Sequence, residues 1–295
     1  MNENFQKVTV ILPCFNEERA IGQTLDQLLN HKYLRHCEII VVDDGSVDNS
    51  VRILGTYQDR IRVLKHRINR GYGSAINSGC RASTREFIVW MDSDGQHQVK
   101  DVEKVIQQLV INDCDYVIGC RGKDSHQVKS RKLGKFVLRQ VVKLAIGKTE
   151  IDFNSGLRGF RTSVLCKYSD MLRGGFGAST TTTVLMVKRR YFGMLVPIDV
   201  VERKGDSSVR QVRDGFRTLL LISRISLMFS PLNIIGSIGL LQLLGGVIYG
   251  TFKAILEKQG FPIFGLLIAS SGVQTLFLAI VLDQISQLRM SNFDD

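Results

Sequence analysis

The chain has 295 residues, 44% of them hydrophobic, which suffices for one large α/β domain with an appendage and excludes a disordered protein. Lysine and arginine number 39 against 28 acidic residues, a formal net charge of +11. That excess suits a phosphate-rich ligand, an anionic membrane surface or nucleic acid, and charge alone does not choose among them.

Six cysteines (Cys14, Cys37, Cys80, Cys114, Cys120 and Cys166) are scattered without a Cys-x-x-Cys pair, several inside apolar runs, and read as reduced structural thiols. The polar start Met1-Asn2-Glu3-Asn4 passes directly into a strand-like run with no apolar signal core, so the N-terminal domain is expected in the cytosol.

Up to about Cys120, short β-branched runs alternate with segments of helical period, the pattern of a parallel sheet with crossover helices. Strands are predicted at Val8–Leu12, Glu38–Val42, Ile61–Lys65, Phe87–Met91 and Tyr116–Gly119. Helices are predicted between them at Ile21–Asn30, Ser50–Tyr57, Gly73–Ser83 and Val99–Asn112. Polar and glycine-rich residues follow the strands, which places the chemistry at the carboxyl edge of the sheet.

From Lys129 to Ile146, apolar residues face a strongly basic side, the pattern of an interfacial helix or of a solvated helix packed on the sheet. A second basic stretch, Arg203 to Arg224, leads into the most apolar part of the chain. No charge occurs between Arg224 and Lys253 or between Lys258 and Asp283, and each interval exceeds the roughly 20 residues that cross a bilayer core. Two spans are predicted, at about 227–252 and 262–282, behind a catalytic domain at 1–224. Arg210, Arg213, Arg217 and Arg224 crowd the approach to the first span, so the positive-inside preference puts both termini in the cytosol, although the connector carries Lys253 and Lys258.

Three polar clusters end the early strands. The first is Pro13-Cys14-Phe15-Asn16-Glu17-Glu18, where proline is expected to stop the ladder, and the second is Asp43-Asp44-Gly45-Ser46-Val47-Asp48. Each alone is compatible with ordinary turn and cap chemistry. The third, Asp92-Ser93-Asp94-Gly95-Gln96-His97, follows a wholly apolar strand. Two carboxylates one residue apart suit a hard, oxygen-preferring cation such as Mg²⁺ or Mn²⁺, shared with substrate phosphates. His97 has no second histidine or cysteine at ligand spacing, which leaves it a supporting or surface group rather than a zinc ligand.

Together with Asn69-Arg70-Gly71-Tyr72-Gly73-Ser74-Ala75, Gly119-Cys120-Arg121, Asp152-Phe153-Asn154-Ser155-Gly156-Leu157-Arg158 and the late Arg203-Lys204-Gly205-Asp206-Ser207, these motifs stand in one order. In that order the chain resembles family 2 glycosyltransferases, nearest the branch of dolichol-phosphate mannose synthase and the bacterial polyprenyl-phosphate glycosyltransferases. The resemblance implies a GT-A-type, Rossmann-like α/β domain, a nucleotide-sugar donor, a divalent metal and a polyprenyl-phosphate acceptor at the bilayer.

Residue by residue it implies that Pro13, Asn16, Glu17, Asp43 and Asp44 line the nucleotide pocket. Asp92 and Asp94 would hold metal and diphosphate, with Gln96 beside them. Arg121, Arg131, Ser155, Arg203 and Ser207 would serve the acceptor phosphate, and Asp152 would be an optional base. The Gly71–Gly79 stretch resembles a phosphate loop, with close helix packing as the other reading. The acidic residue common in the helix near Thr180–Leu185 is absent, as is the lysine or aromatic expected after Ser207.

In-line attack by an anionic phosphate needs no strong base and would invert the anomeric centre. A saccharide or protein hydroxyl acceptor is the competing enzyme reading. A nucleic-acid-binding membrane protein is the distant one, because no aromatic RNA platform or helix-turn-helix pattern occurs. Donor base, sugar, lipid length and oligomeric state, a homo-oligomer included, are left open.

Overall fold

The computed structural model describes residues 2–122, 152–153, 155–172, 177–201, 227, 231–258 and 260–291. The chain divides into two compact units, an α/β unit that holds the described residues up to 201 and a helical hairpin over 231–291. Arg131, Arg203, Ser207 and most of the two basic stretches lie outside the described residues.

The α/β unit is built on a seven-stranded sheet of order β3-β2-β1-β4-β6-β5-β7. Its strands are β1 (Val8–Cys14), β2 (Glu38–Asp43), β3 (Arg62–Lys65), β4 (Phe87–Trp90), β5 (Tyr116–Arg121), β6 (Arg158–Arg161) and β7 (Gly193–Ile198). β1, β2, β3 and β4 run parallel, and β6 enters antiparallel between β4 and β5. β1 is buried along its whole length, as expected of a strand covered on both faces.

Helix α1 (Asn2–Gln6) precedes the sheet, followed by α2 (Ile21–Asn30), α3 (Ser50–Gly55), α4 (Tyr72–Ala82) and α5 (Val99–Ile111). α2 buries Ile21, Thr24, Leu25, Leu28 and Leu29, one stripe at helical period, and α5 does the same with Val102, Val105, Ile106 and Leu109. α6 (Thr162–Lys167) and α7 (Ala178–Lys188) complete the unit. Trp90 of β4 stacks on Phe160 of β6 with ring centroids 4.8 Å apart.

Pro13 does not stop β1. Cys14 still pairs with Asp43 of β2, whereas pairing with β4 ends at Ile11 and Trp90. In a parallel ladder alternate residues bond to alternate neighbours; Asp44 N bonds Cys14 O on the β2 side, so Pro13 faces the other way, where the ladder has already ended. Its missing N–H therefore costs no hydrogen bond, and its carbonyl accepts from Ser93 Oγ at 2.7 Å. β7, which has Pro197 at the outer edge of the sheet, and the four-residue β6 carry no clear alternation in the sequence.

The second unit consists of α8 (Pro231–Glu257) and α9 (Ile263–Ser291), 27 and 29 residues long. At 1.5 Å per residue each exceeds the roughly 30 Å hydrocarbon core of a bilayer. α8 continues a turn beyond the expected 252, taking Lys253 out of the connector and pairing it with Glu257 at 3.2 Å. The two helices approach backbone to backbone: a Cβ on Gly246 would lie 2.5 Å from Ala269 N, and one on Gly272 would lie 2.4 Å from Leu243 N. Leu240, Leu241, Ile248, Phe252, Phe277 and Leu278 face outward. An apolar hairpin with its large side chains outside marks the chain as a membrane protein.

Candidate active site

The ends of β1, β2 and β4 lie side by side, with β1 in the middle, so the three polar clusters meet at one edge of the sheet. The first two are laced together. Asn16, in the left-handed region at φ 55°, receives Val47 N on Oδ1 at 2.9 Å and donates its own N–H to Ser46 Oγ at 3.0 Å. Glu17 N donates to Ser50 Oγ and Glu18 N to Asp48 Oδ2. Burial disfavours the charge on Asp48, but hydrogen bonds from Ser50 and the Glu18 amide outweigh it and hold the carboxyl below its ordinary range.

The paired aspartates differ. Asp43 is 1% exposed; its Oδ1 accepts from Ser46 N at 3.0 Å, while Oδ2 is buried without a hydrogen-bond partner. Such an oxygen is poised to accept an N–H or O–H from a ligand. Asp44 turns inward instead. It accepts from Arg70 N at 2.9 Å, Gly71 N at 2.7 Å and His66 Nδ1 at 2.6 Å. Both of its oxygens hold protein groups, so it braces the 66–71 turn beside the expected nucleotide pocket.

At the β4 tip, Asp92 is the more open carboxylate, with 31% of its side chain exposed, and Asp94 is nearly buried. Tyr72 Oη donates to Asp92 Oδ1 at 2.9 Å, and His97 Nε2 lies 3.8 Å from Asp92 Oδ2. His97 is buried, which removes the surface reading. Asp94 Oδ1 receives Gln96 N at 3.0 Å across the turn at Gly95, whose φ is 77°. Gly156 closes the other side, where a Cβ would fall 2.0 Å from Asp92 Oδ2. Among the described residues no group of three or more His, Cys, Asp or Glu forms a protein cage for a metal. Two strand-end carboxylates fit a hard cation that completes its shell with water and substrate phosphate oxygens.

Arg121, at the end of β5, forks onto Asp152 with Nε to Oδ2 at 2.6 Å and Nη2 to Oδ1 at 2.9 Å. The Asp152 hydrogen bond raises the Arg121 pKa further. Asp152 is therefore clamped by a cation through both carboxylate oxygens. Ser155 is buried, and among the described residues its hydroxyl bonds to the amide and carbonyl of Leu157.

Arg158, fully buried at the start of β6, was outside the expected set. It donates to the carbonyls of Asp152, Phe153 and Ser155 and to Thr183 Oγ1 of α7, pinning the turn that carries Asp152. Burial pushes its pKa down to about 10, against a raising contribution from Asp152. Tyr72, His66 and Gly156 were missed as well, because their partners are remote in sequence.

The Gly71–Gly79 stretch resolves in favour of packing at its far end, where a Cβ on Gly79 would meet Ile11 Cγ2 of β1 at 2.5 Å. The thiols are inert: burial, with Asp43 next, pushes Cys14 up to about 12, and burial does the same to Cys37.

A Rossmann-like sheet with an inserted antiparallel strand and acidic clusters at its carboxyl edge defines a GT-A glycosyltransferase domain. Residues 9–169 match the family model Glycosyl transferase family 2, and residues 230–288 match the GtrB C-terminal hairpin. The chain belongs to glycosyl transferase family 2, in the branch of the polyprenyl-phosphate glycosyltransferases.

It is 30% identical over 217 residues, 66% of this chain and 85% of the relative, to UDP-N-acetylglucosamine–dolichyl-phosphate N-acetylglucosaminyltransferase of Methanococcus voltae. To undecaprenyl-phosphate 4-deoxy-4-formamido-L-arabinose transferase of Proteus mirabilis it is 25% identical over 283 residues, 93% of this chain and 83% of the relative. Among solved structures, glucosyl-3-phosphoglycerate synthase of Mycobacterium tuberculosis, in complex with Mn²⁺, UDP and phosphoglyceric acid, shares the fold. It superposes with a TM-score of 0.60 at 17% identity, over 76% of this chain and 80% of that one.

Proposed function

We propose that this enzyme transfers one sugar from a nucleotide-diphosphate sugar to a polyprenyl phosphate with inversion at the anomeric carbon. The reading is supported above all by Asp92, a half-open carboxylate held by Tyr72 at the sheet edge beside the cluster that contains the unpartnered Asp43 Oδ2. Asp43, with Pro13, Asn16 and Glu17 on the adjoining strand end, binds the nucleoside. Asp92 and Asp94, with Gln96 next to them, hold Mg²⁺ or Mn²⁺ on the diphosphate. The bound metal supplies positive charge against the negative charge that grows on the leaving diphosphate.

The acceptor phosphate is itself the nucleophile, so no side chain has to remove a proton from it at neutral pH. Arg121, with Arg131, Arg203, Ser155 and Ser207, positions that phosphate. In this reading the Arg121–Asp152 fork loosens or turns when the acceptor arrives. Residues 1–224 form the catalytic domain, α8 and α9 anchor it in the bilayer where the acceptor resides, and both termini are cytosolic.

The test is a panel of UDP- and GDP-sugars with Mn²⁺ or Mg²⁺, offered a short polyprenyl phosphate or a free sugar as acceptor. Metal-dependent appearance of a β-linked lipid-phosphate sugar from an α-linked donor is the expected result. Transfer only to free sugar or protein hydroxyls would overturn the lipid assignment, and accessibility of single cysteines at either terminus in oriented vesicles tests the topology.

A further inference from the structure

A buried polar relay lies behind the acid clusters. His66, 8% exposed, has Nδ1 2.6 Å from Asp44 Oδ1 and Nε2 2.8 Å from Ser78 Oγ of α4. Asp44 also accepts the Arg70 and Gly71 amides, so its role is that of an acceptor throughout. An Nδ1 proton therefore points at Asp44, and Nε2 is left to hydrogen-bond with the Ser78 hydroxyl.

The order Ser-His-Asp is that of a hydrolase triad, but the surroundings are wrong for hydrolysis. Ser78 lies inside helix α4, where the surrounding amides are taken up by the helix's own ladder rather than turned toward an oxyanion.

The relay ends on backbone that leads to the active site. Gly71 has φ 90°, which strains any residue with a side chain, and its N–H is held by Asp44 and by Asn69 Oδ1 at 3.0 Å. A Cβ on Gly45 would lie 2.8 Å from Asn69 N, so the β2 tip bears directly on this turn. The next residue is Tyr72, the first of α4, whose Oη donates to Asp92. Asp44 thus fixes the turn that aims Tyr72, and His66 with Ser78 fixes the rotamer of Asp44.

We infer that His66 and Ser78 are positioning residues for the Asp92 carboxylate, acting through Asp44, the Arg70–Gly71 amides and Tyr72. The inference rests on the reading of Asp92 as a metal ligand. It requires that loss of the relay be felt first as loss of metal affinity, since outer partners of a ligand set its orientation rather than the chemistry.

The experiment uses the full chain in lipid nanodiscs, with Mn²⁺ binding followed by electron paramagnetic resonance in the presence of UDP or GDP and thermal stability measured alongside. His66→Phe, which keeps a planar aromatic ring and removes both nitrogens, is expected to raise half-saturating Mn²⁺ about 10-fold, and Ser78→Ala about 3-fold. His66→Asn retains a donor toward Asp44 and is expected within about 2-fold of wild type. The loss in His66→Phe falls on Mn²⁺ half-saturation more than on turnover at saturating Mn²⁺, a split that a global folding defect does not produce.

Unchanged Mn²⁺ affinity in folded His66→Phe, or equal damage in His66→Asn, would overturn the inference while the metal reading stands. Should His66→Phe not fold, Ser78→Ala decides, and wild-type Mn²⁺ affinity there overturns it. Failure of the wild-type protein to bind Mn²⁺ with either nucleotide would overturn the metal reading and this inference with it.

Discussion

Tyr72 Oη donates to Asp92 Oδ1 at 2.9 Å, tying the first turn of α4 to the tip of β4. Burial, and then the charge of Asp92, raise the tyrosine pKa well above its ordinary value, so the phenol stays a donor over any working pH. Tyr72→Phe keeps the ring and removes one hydrogen bond from the carboxylate. The expected stability loss is about 1 kcal/mol, and kcat/KM at limiting Mn²⁺ falls by about 10-fold. Mn²⁺ titrations of initial rate check this; a wild-type response would separate Tyr72 from the metal site.

Gly156 tests the same carboxylate from the opposite side. A methyl group there would overlap Asp92 Oδ2 at 2.0 Å, so Gly156→Ala has to push the carboxylate out of place. Over-packing of this kind costs about 1–3 kcal/mol, and turnover is expected to fall by about 100-fold. Asp94→Ala is the companion: it removes the neighbouring carboxylate without overlap and should abolish turnover while the protein stays folded, at a cost of about 1 kcal/mol for the lost Gln96 amide bond. Normal turnover in Asp94→Ala would remove the metal assignment.

These geometries separate what the sequence carries from what it does not. Continuous apolar runs such as Ile39–Val42 and Phe87–Trp90 announce strands covered on both faces, and the acids that follow them announce a ligand edge. β6 is only four residues long, with arginine at both ends and glycine inside, so its place between β4 and β5 depends on tertiary pairing. That Asp44 braces the 66–71 turn while Asp43 keeps an unpartnered oxygen was equally hidden. Adjacent strand-end residues point to opposite sides, and the choice is made by the 66–71 turn, more than twenty residues downstream. The fork of Arg121 on Asp152, an optional base by resemblance, was hidden for the same reason.

Asp152→Asn therefore discriminates between a base and a brace. If Asp152 acts by holding Arg121, the substitution weakens the fork and lowers kcat/KM for the acceptor by about 10-fold, through KM, with both limbs of the pH–rate profile in place. Loss of the acidic limb in that variant would instead make Asp152 the proton acceptor. Arg121→Lys should cost at least as much, because an ammonium cannot span both carboxylate oxygens.

Asp48 links pH to the loop that joins the β1 and β2 tips. Its folded pKa is below the ordinary carboxylate value, so the unfolded chain binds the proton more readily. Its stabilising contribution is fully present above an unfolded pKa of about 4 and is lost as pH falls through the lower folded value. Asp48→Asn should melt below wild type at pH 6–7 and converge with it in acid, as pH falls through the lowered folded value. A constant difference in melting temperature across that range would show that the carboxylate charge is not what matters.

The hairpin makes a prediction that owes nothing to the catalytic edge. Gly272 and Gly246 each face the backbone of the opposite helix, and a Cβ on either would come within 2.5 Å of a main-chain nitrogen. In lipid there is no hydrophobic gain from bringing two apolar helices together, so close packing and the Thr275 Oγ1 to Gln242 Oε1 hydrogen bond at 2.9 Å hold this seam. Gly272→Val should force the helices apart by more than the side-chain bond can span, while leaving each long enough to cross the bilayer. Cysteines placed at Gln242 and Thr275, whose side chains already meet across the seam, are expected to be joined by a short bifunctional reagent in the parent and not in Gly272→Val, and equal cross-linking in both would show that the seam tolerates bulk.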